Sequence, residues 1–591
     1  HFPEEALGAT STATGEQIGS EPHAKARSVT EAVASADTAF SSRAVYLIAL
    51  GFVLFFGTLV RFGLIFTVDF PLNDGGMFLQ AIVDLQHAHF ALPQVIHYNG
   101  LSLPYAYPPL GFYVAGLLAE ITHASLFTIL RIVPATFSVL TLAAFMLLAN
   151  SYLRRRDTVV VASLAFALVP RSHNWEIMGG GLTRSIGFFF AMLAIWQVYL
   201  LYTQRTRATL IWTTVFAAMA CLSHLEMAWF VAFSAVLFFL TYGRTRAGLR
   251  DSLIVALGVL AMTSPWWGLV IARHGIEPFI NAGHTGSHSV VVILGFLLTL
   301  NWGQEPLFPI FGALALFGIL YCAVRRRYFL PLWVIVGLVL DPRKFETEAM
   351  VPLSMLVGIC VIEVIVPMVR LRLTSPPTTD DRLPEASDRP ARRGVAWVGP
   401  ILVGILVIYG MMSAMISTAL GDVGLAKSER QAMEWTRTST APNSRFTIIT
   451  GDKWASDRTS EWFPVLADRT SAATVQGYEW LPNGAYGKQE RSYQTLQKCA
   501  SETVACIDSW AADEHASYDY VYIATRDLQE GTLYYHIPCC GGLVASFESD
   551  PDYALVFQND GAAIFERKSA IAHAGVIGPA LIDQGRRQKP L

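Results

Sequence analysis

Long apolar runs limit what this chain can fold into more than any other feature. They follow one another from Ala44 to Leu420, and only short polar loops separate them. Four of the runs contain no Asp, Glu, Lys or Arg: Ser185–Tyr202, Ser252–Ala272, Pro306–Val324 and Val395–Leu420. A helix needs about 20 apolar residues to cross a bilayer, because each residue adds about 1.5 Å of length. The pattern therefore predicts a multi-pass α-helical membrane protein.

The positions of the arginines predict how these spans are oriented, because cytoplasmic loops are rich in basic residues. The basic clusters are Arg154–Arg156, Arg205 with Arg207, Arg244 with Arg246 and Arg250, and Arg325–Arg327. Placing every cluster inside predicts about eleven spans and a long first outer loop over residues 67–124. The apolar piece Pro108–Ala119 is too short to span comfortably, so we expect it to form a juxtamembrane helix of that loop.

The regions outside the spans have different compositions. Residues 1–43 lack an apolar core and are predicted to form a disordered cytoplasmic tail rather than a signal peptide. The transmembrane module covers 44–370, and the proline-rich, charged segment 371–395 is predicted to be a disordered cytoplasmic linker. A last span over 396–420 then leads to a C-terminal domain, 421–591, on the extracytoplasmic side of the cell membrane.

The C-terminal domain reads as a small α/β unit. Lys427–Thr438 has the spacing of an amphipathic helix, and the turn Asn559-Asp560-Gly561 between two apolar runs predicts a β-hairpin. Four cysteines fall in this domain: Cys499, Cys506, Cys539 and Cys540. In an external domain they can form up to two disulfides, and their spacing does not match a zinc-ligand pattern.

Two carboxylates stand where the first span ends, in the segment Asp69-Phe-Pro-Leu-Asn73-Asp74-Gly-Gly. Charged groups are costly inside a bilayer, so a carboxylate at its edge usually faces water, a partner or a substrate. A helical apolar pattern begins directly after Asp74, so Asn73 or Asp74 could also cap that helix. The two roles are compatible, and Asp69 is the second candidate for chemistry.

Basic groups also gather at the predicted outer ends of the spans. A lone arginine there usually extends its charged end to the interface, but a whole set suggests a site for an anion such as a phosphate. The set comprises Arg61, Arg131, Arg171, Arg184, Arg343 and Lys344. Other polar candidates on this side are Glu176, His224, Glu226 and His284, and for the His224–Glu226 pair a bond within the loop is at least as good an explanation as catalysis.

The order of these motifs resembles the GT-C superfamily of membrane glycosyltransferases, in its protein O-mannosyltransferase and aminoarabinose transferase branch. The matching residues are Asn73-Asp74-Gly75-Gly76 after the first span, Tyr107-Pro108-Pro109-Leu110 on a second juxtamembrane helix, Arg131, and, in the C-terminal domain, Glu429–Trp435, Phe446–Gly451 and Ser460–Pro464. The resemblance covers most of residues 44–566. Many relatives carry Asp-Glu where this chain has Asn73-Asp74.

The resemblance implies an inverting hexosyltransferase, mannosyltransferase-like, whose sugar donor is carried on a polyprenyl phosphate. Asp74, with Asp69 in reserve, would take the proton from the acceptor hydroxyl. Arg131, Arg184, Arg343 and Lys344 would hold the donor phosphate. Asn73, Tyr107, Glu176, His224 and His284 would contact substrate. Metal dependence stays open, because Asp74 and Glu176 could form a carboxylate site.

The expected partners are the lipid bilayer, the lipid-linked donor and a protein, lipid or glycan acceptor, with no nucleic acid. Two other functions remain open at this point. A transporter or flippase would place ionisable groups near the bilayer midplane and often shows repeat symmetry. A non-catalytic scaffold that kept the fold would look the same in sequence.

The topology predicts which segments a membrane-impermeant maleimide reaches in intact cells. We expect Asp560→Cys, in the C-terminal domain, to be labelled directly. Thr378→Cys, in the linker, should be labelled only after the membrane is permeabilised. Labelling of Asp560→Cys only after permeabilisation would reverse the orientation.

Overall fold

The computed structural model describes residues 42–285, 298–341, 345–374, 397–421, 423–525 and 539–568. The predicted tail up to residue 41 and the linker from residue 375 lie outside the described residues, as do Arg343 and Lys344.

Long apolar helices form most of the molecule. In the described residues, seven are long and apolar enough to cross a membrane. They are α1 (Arg43–Gly63), α4 (Leu126–Tyr152), α6 (Gly181–Thr203), α8 (Leu225–Tyr242), α9 (Arg246–His274), the continuous helix Phe345–Leu373 and α16 (Val398–Gly421). The helix Phe345–Leu373 consists of α13 (Phe345–Glu348), α14 (Met350–Cys360), a π-helical stretch Val361–Ile365 and α15 (Val366–Thr374). The predicted multi-pass membrane architecture is confirmed.

Four of the predicted spans are shorter helices than a full crossing needs. They are α5 (Arg156–Leu168), α7 (Arg207–Ser223), α11 (Ile310–Val324) and α12 (Phe329–Leu340). Helix α5 is buried over nearly its whole length, so neighbouring helices rather than lipid surround it. A helix that contacts protein on all sides can be shorter than the bilayer is thick, because its ends are not exposed to lipid.

The predicted first outer loop is folded and contributes elements of its own. They are α2 (Gly76–His87), the antiparallel strands β1 (Val95–Tyr98) and β2 (Leu101–Pro104), and α3 (Leu110–Thr122). Helix α3 is the predicted juxtamembrane helix, and it begins two residues later than expected because Pro108 and Pro109 precede it. A further short helix, α10 (Glu277–Gly283), follows α9.

The C-terminal domain is a mixed sheet flanked by helices. Its strands are β3 (Arg445–Ile449), β4 (Thr470–Ser471), β5 (Tyr520–Ala524), β6 (Tyr553–Gln558) and β7 (Ala562–Arg567). They lie in the order β4-β3-β5-β7-β6, with β3 parallel to β4 and β5 and the other pairs antiparallel. The helices are α17 (Lys427–Ser439), α18 (Arg458–Leu466), α19 (Ala485–Lys498), α20 (Val504–Asp513) and α21 (Gly541–Glu548). The predicted helix and hairpin are present.

Disulfides link the four cysteines of this domain. Cys499 bonds Cys506, and Cys539 bonds Cys540. Cys221, Cys322 and Cys360 are free thiols. The prediction of up to two disulfides left their pairing open.

One apolar core joins the first loop to the C-terminal domain. Phe78 and Leu79 of α2 and Phe112 of α3 belong to the same buried cluster as Trp462 and Phe463 of α18. Buried apolar surface contributes about 25 cal/mol per Å². The loop and the domain therefore stabilise each other at one end of the bundle, which we call the domain end.

Small residues allow the helices of the bundle to approach closely. A Cβ at Gly318 of α11 would lie 2.3 Å from the carbonyl oxygen of Leu356 in α14. Helix interfaces in membranes favour such small residues, because packing rather than hydrophobicity drives helix association there.

We predict that Gly318→Ala lowers the melting temperature in detergent, because the backbones of α11 and α14 must separate, at a cost of about 1–3 kcal/mol. Gly404→Ala in α16 is the matched control, since a Cβ there meets nothing within 4 Å. Equal melting temperatures for both variants would contradict this packing.

Candidate active site

A tight turn at residues 73–76 presents Asp74 at the domain end of the bundle. Asn73 has φ 49° and Gly75 has φ 137°, so the backbone leaves the regular conformations on both sides of Asp74. The Gly180 N–H donates to Asp74 Oδ1 at 3.0 Å and lies 3.1 Å from the Asp74 carbonyl oxygen. A Cβ at Gly180 would lie 2.4 Å from Asp74 Oδ2, so only glycine permits this approach. Gly180 therefore holds the carboxylate.

Arg184 is the cation beside this carboxylate. Its Nη2 lies 3.5 Å from Asp74 Oδ2, and its guanidinium carbon lies 5.2 Å from the centre of the Trp175 ring. The Asp74 side chain is 36% exposed and that of Arg184 is 18% exposed, so the pair borders solvent. Within the described part of the chain, Nε and Nη2 of Arg184 form no hydrogen bond. The guanidinium therefore keeps unused hydrogen-bonding capacity beside the carboxylate.

Aromatic rings form one wall of the site around Tyr107. Its ring centre lies 5.0 Å from that of Phe78, 5.6 Å from that of Trp480 and 6.1 Å from that of His224. The Thr183 hydroxyl donates to the Tyr107 oxygen at 3.3 Å. Burial raises the pKa of Tyr107, so its phenol is neutral at physiological pH and remains a hydrogen-bond donor. Trp480 comes from the C-terminal domain, which therefore contributes to the wall.

Glu176 is a buried acid near Arg184. Glu176 is 1% exposed, and its Oε2 has no hydrogen-bond partner among the described residues. Burial raises the pKa of Glu176 from 4.5 to about 7, while the charges of Arg184 and Arg61 oppose that rise. His224 Nδ1 lies 3.8 Å from Glu226 Oε2, so the two residues named from the sequence are neighbours.

Asn73 links the site to the C-terminal domain. Its Oδ1 accepts from the Val423 N–H at 3.0 Å, and its own N–H donates to the Val423 carbonyl at 2.9 Å. The Asn73 carbonyl also accepts from Trp462 Nε1 at 2.8 Å. These bonds hold the turn where the chain enters the domain. The contact of Asn73 with substrate remains a prediction.

Asp69 and Arg131 lie apart from this group. Arg430 Nη2 donates to both carboxylate oxygens of Asp69, at 2.8 and 2.7 Å, and these bonds lower the pKa of Asp69. Arg131 Nη2 donates to the Ile65 carbonyl at 3.4 Å. Among the described residues, no hydrogen bond or ion pair joins Asp69 or Arg131 to Asp74. Asp69 instead lines a separate pocket of about 330 Å³ with Arg430.

The remaining candidates have other surroundings. His284 ends α10 and is exposed, and its backbone N–H donates to that helix. Arg61 is fully buried and donates to Ser138 and to the Ala167 carbonyl, so it binds helices together. Arg171 pairs with Glu346. The predicted phosphate ligands Arg343 and Lys344 lie outside the described residues.

The helix-capping alternative for Asp74 is wrong. Gly75 is the N-cap of α2, and no side chain from α2 or from the turn caps the helix. The cap comes instead from Glu461 of α18, whose two carboxylate oxygens accept from the Gly75 N–H at 3.1 and 3.0 Å. Glu461 belongs to the Ser460–Pro464 motif, but no local pattern predicts a contact across 386 positions of sequence.

The described residues were also compared with the ligand sets of metal sites. In those ranges, no group of three or more His, Cys, Asp or Glu is arranged to hold a metal ion.

Comparison with known proteins identifies the fold. No family model matches the chain, and no curated protein matches it by sequence. Among solved structures, the arabinofuranosyltransferase AftD from Mycobacteria superposes with a TM-score of 0.51 at 13% identity, over 89% of this chain and 40% of AftD. A variant of AftD gives a TM-score of 0.54 at 16% identity, over 89% of this chain and 41% of that one. ArnT from Cupriavidus metallidurans in the apo state gives 0.50 at 15% identity, over 88% of this chain and 98% of ArnT.

These structural neighbours are GT-C glycosyltransferases. The chain described above has their fold, with a multi-pass helical bundle and a C-terminal domain that contains a sheet. It spans about two fifths of the length of AftD and nearly the whole of ArnT.

We predict that Glu176 makes stability depend on pH. The Glu176 carboxyl holds its proton more tightly in the folded protein than in the unfolded chain. The free energy of unfolding should therefore fall by about 3 kcal/mol as pH rises from about 4.5 to about 7. Glu176→Gln removes this titration. Melting temperatures in detergent at pH 5 and pH 8 should therefore differ less for the variant than for the wild type. The exposed Glu502→Gln serves as control, and an unchanged pH dependence in Glu176→Gln would contradict the assignment.

Proposed function

We propose that this chain is an integral membrane glycosyltransferase that moves a sugar from a polyprenyl-phosphate donor to an acceptor hydroxyl. The main support is the ion pair of Asp74 and Arg184, which borders solvent at the domain end of a GT-C fold. A carboxylate and a partly unsatisfied guanidinium meet the two needs of this reaction, a proton acceptor and a partner for the leaving phosphate. The transferase neighbours favour this function over a transporter.

In the proposed reaction, the acceptor oxygen attacks the anomeric carbon while Asp74 takes the hydroxyl proton. The bond between the anomeric carbon and the phosphate oxygen breaks, and its electron pair leaves with the phosphate. Attack opposite the leaving group inverts the anomeric carbon. Arg184 stabilises the charge that develops on the phosphate, because its guanidinium lies beside Asp74 and its Nε and Nη2 donate no hydrogen bond to a described protein group.

A lipid-linked donor fits the position of the site. Asp74 pairs with Arg184 in the first turn of α6, so it is close to the end of an apolar membrane helix. The lipid would remain in the bilayer while its phosphate reaches Arg184 from the edge of the bundle. The finer assignment to a mannose-like hexose and to the extracytoplasmic face rests on the sequence resemblance and the charge distribution.

Asp74→Asn should lower the transfer rate about 10²–10⁴-fold, because the amide cannot accept the proton. The assay incubates the purified chain with a panel of polyprenyl-phosphate sugars and with membranes that supply the acceptor. Mass spectrometry then measures release of polyprenyl phosphate, a product common to every sugar.

Glu502→Gln is the matched carboxylate control, because Glu502 is exposed on the surface of the C-terminal domain. Wild-type transfer by Asp74→Asn, with Asp69 intact, would remove Asp74 as the base. Loss of transfer in Asp69→Asn alone would move that role to Asp69.

A further inference from the structure

The carboxylate of Glu461 occupies the N-terminus of α2. It accepts from the Gly75 N–H with both oxygens, and the backbone amides of Gly76 and Met77 also favour its charged form. The first N–H groups of a helix have no partner within the helix, so a cap must come from elsewhere. A residue next to the helix usually supplies it. Here the cap comes from a different domain, and Glu461 is 4% exposed.

Other groups near the Glu461 carboxylate keep α18 against the turn. Trp462 Nε1 donates to the Asn73 carbonyl at 2.8 Å. The Tyr98 hydroxyl donates to the Glu461 carbonyl at 2.7 Å. A Cβ at Gly76 would lie 2.6 Å from that carbonyl oxygen, so α18 and the turn are in direct backbone contact. The turn therefore has little freedom to move away from α18.

Asp74 and Glu461 have different partners at this turn. The Asp74 side chain accepts from the Gly180 N–H and faces Arg184, whereas Glu461 accepts from the Gly75 N–H, which directly follows Asp74. Burial and the nearby charge of Asp74 raise the pKa of Glu461, while the backbone amides oppose this rise. A second carboxylate beside Asp74 is therefore electrostatically unfavourable. Its contribution to the turn is to accept hydrogen bonds from the backbone.

We propose that Glu461 is a positioning residue that fixes Asp74 for catalysis, which makes the C-terminal domain a working part of the active site. The proposal rests on the proposed function. It differs from a role in which the domain only packs or guides the acceptor. A misplacement of about 1 Å can lower a rate about 10²-fold, so a cap that fixes the turn acts on kcat.

Three substitutions separate capping from charge. Glu461→Gln keeps the length of the side chain and one acceptor oxygen. Glu461→Asp keeps the charge but withdraws the carboxylate from the amides. Glu461→Ala removes both. If capping is the role, the expected order of kcat is wild type, then Gln, then Asp and Ala, with losses of about 10–100-fold for the last two. The KM for the donor should stay within about twofold. Glu502→Gln remains the control.

Hydrogen exchange measured by mass spectrometry over residues 73–80 supplies a readout independent of activity. The amides after Asp74 should exchange at least about tenfold faster in Glu461→Ala and Glu461→Asp than in the wild type, because their acceptor is lost. If Glu461→Ala does not fold, Glu461→Gln and Glu461→Asp carry the comparison.

Each outcome has a distinct meaning. Unchanged kcat and unchanged exchange in Glu461→Ala would overturn the proposal, and so would Glu461→Asp outperforming Glu461→Gln. A change in KM alone would also overturn it. A third result would be faster exchange in the variants together with no sugar transfer by the wild type from any donor. This result would support the cap and would overturn the proposed function instead.

Discussion

The placement of the turn at residues 73–76 is the constraint on which the rest of the domain end depends. It is held between Gly179–Gly181 of the bundle and α18 of the C-terminal domain. On the bundle side, glycine allows the Gly180 N–H to reach Asp74. On the domain side, Glu461 and Trp462 bond the backbone on either side of Asp74. The bundle and the domain therefore meet through the residue that the proposed reaction uses.

The same packing decides which of the clustered arginines can act on a substrate. Arg61 is buried among helices and donates to their backbone and hydroxyl groups. Arg171 pairs with Glu346, and Arg430 holds Asp69. Arg184 differs from these three, because its ionic partner is Asp74 and its Nε and Nη2 donate no hydrogen bond to a described protein group. Among the described arginines, Arg61 and Arg171 are bound within the protein, and Arg184 borders Asp74.

The sequence allows the architecture and part of the site to be predicted. Periodic apolar runs indicate the spans, and the turn Asn559-Asp560-Gly561 indicates the terminal hairpin, because both signals are local. Asp74, Arg184, Tyr107 and Glu176 were named from their places in the loops, and they lie together. Asp69 was named by the same reasoning, yet it pairs with Arg430, because the position of α17 cannot be read from the first loop. Glu461 was missed as an individual residue, since its target is 386 positions away.

What the sequence determined by itself is the membrane class of this protein, the order of its spans and the α/β character of its last domain. These follow from hydrophobic length and spacing, which act within one segment at a time. Only the tertiary structure decided which carboxylate borders a cation, which arginines are already paired and which domain caps α2. Those outcomes depend on hydrogen bonds and burial between segments far apart in the chain. The free energy of such contacts depends on three-dimensional packing, which no local pattern encodes.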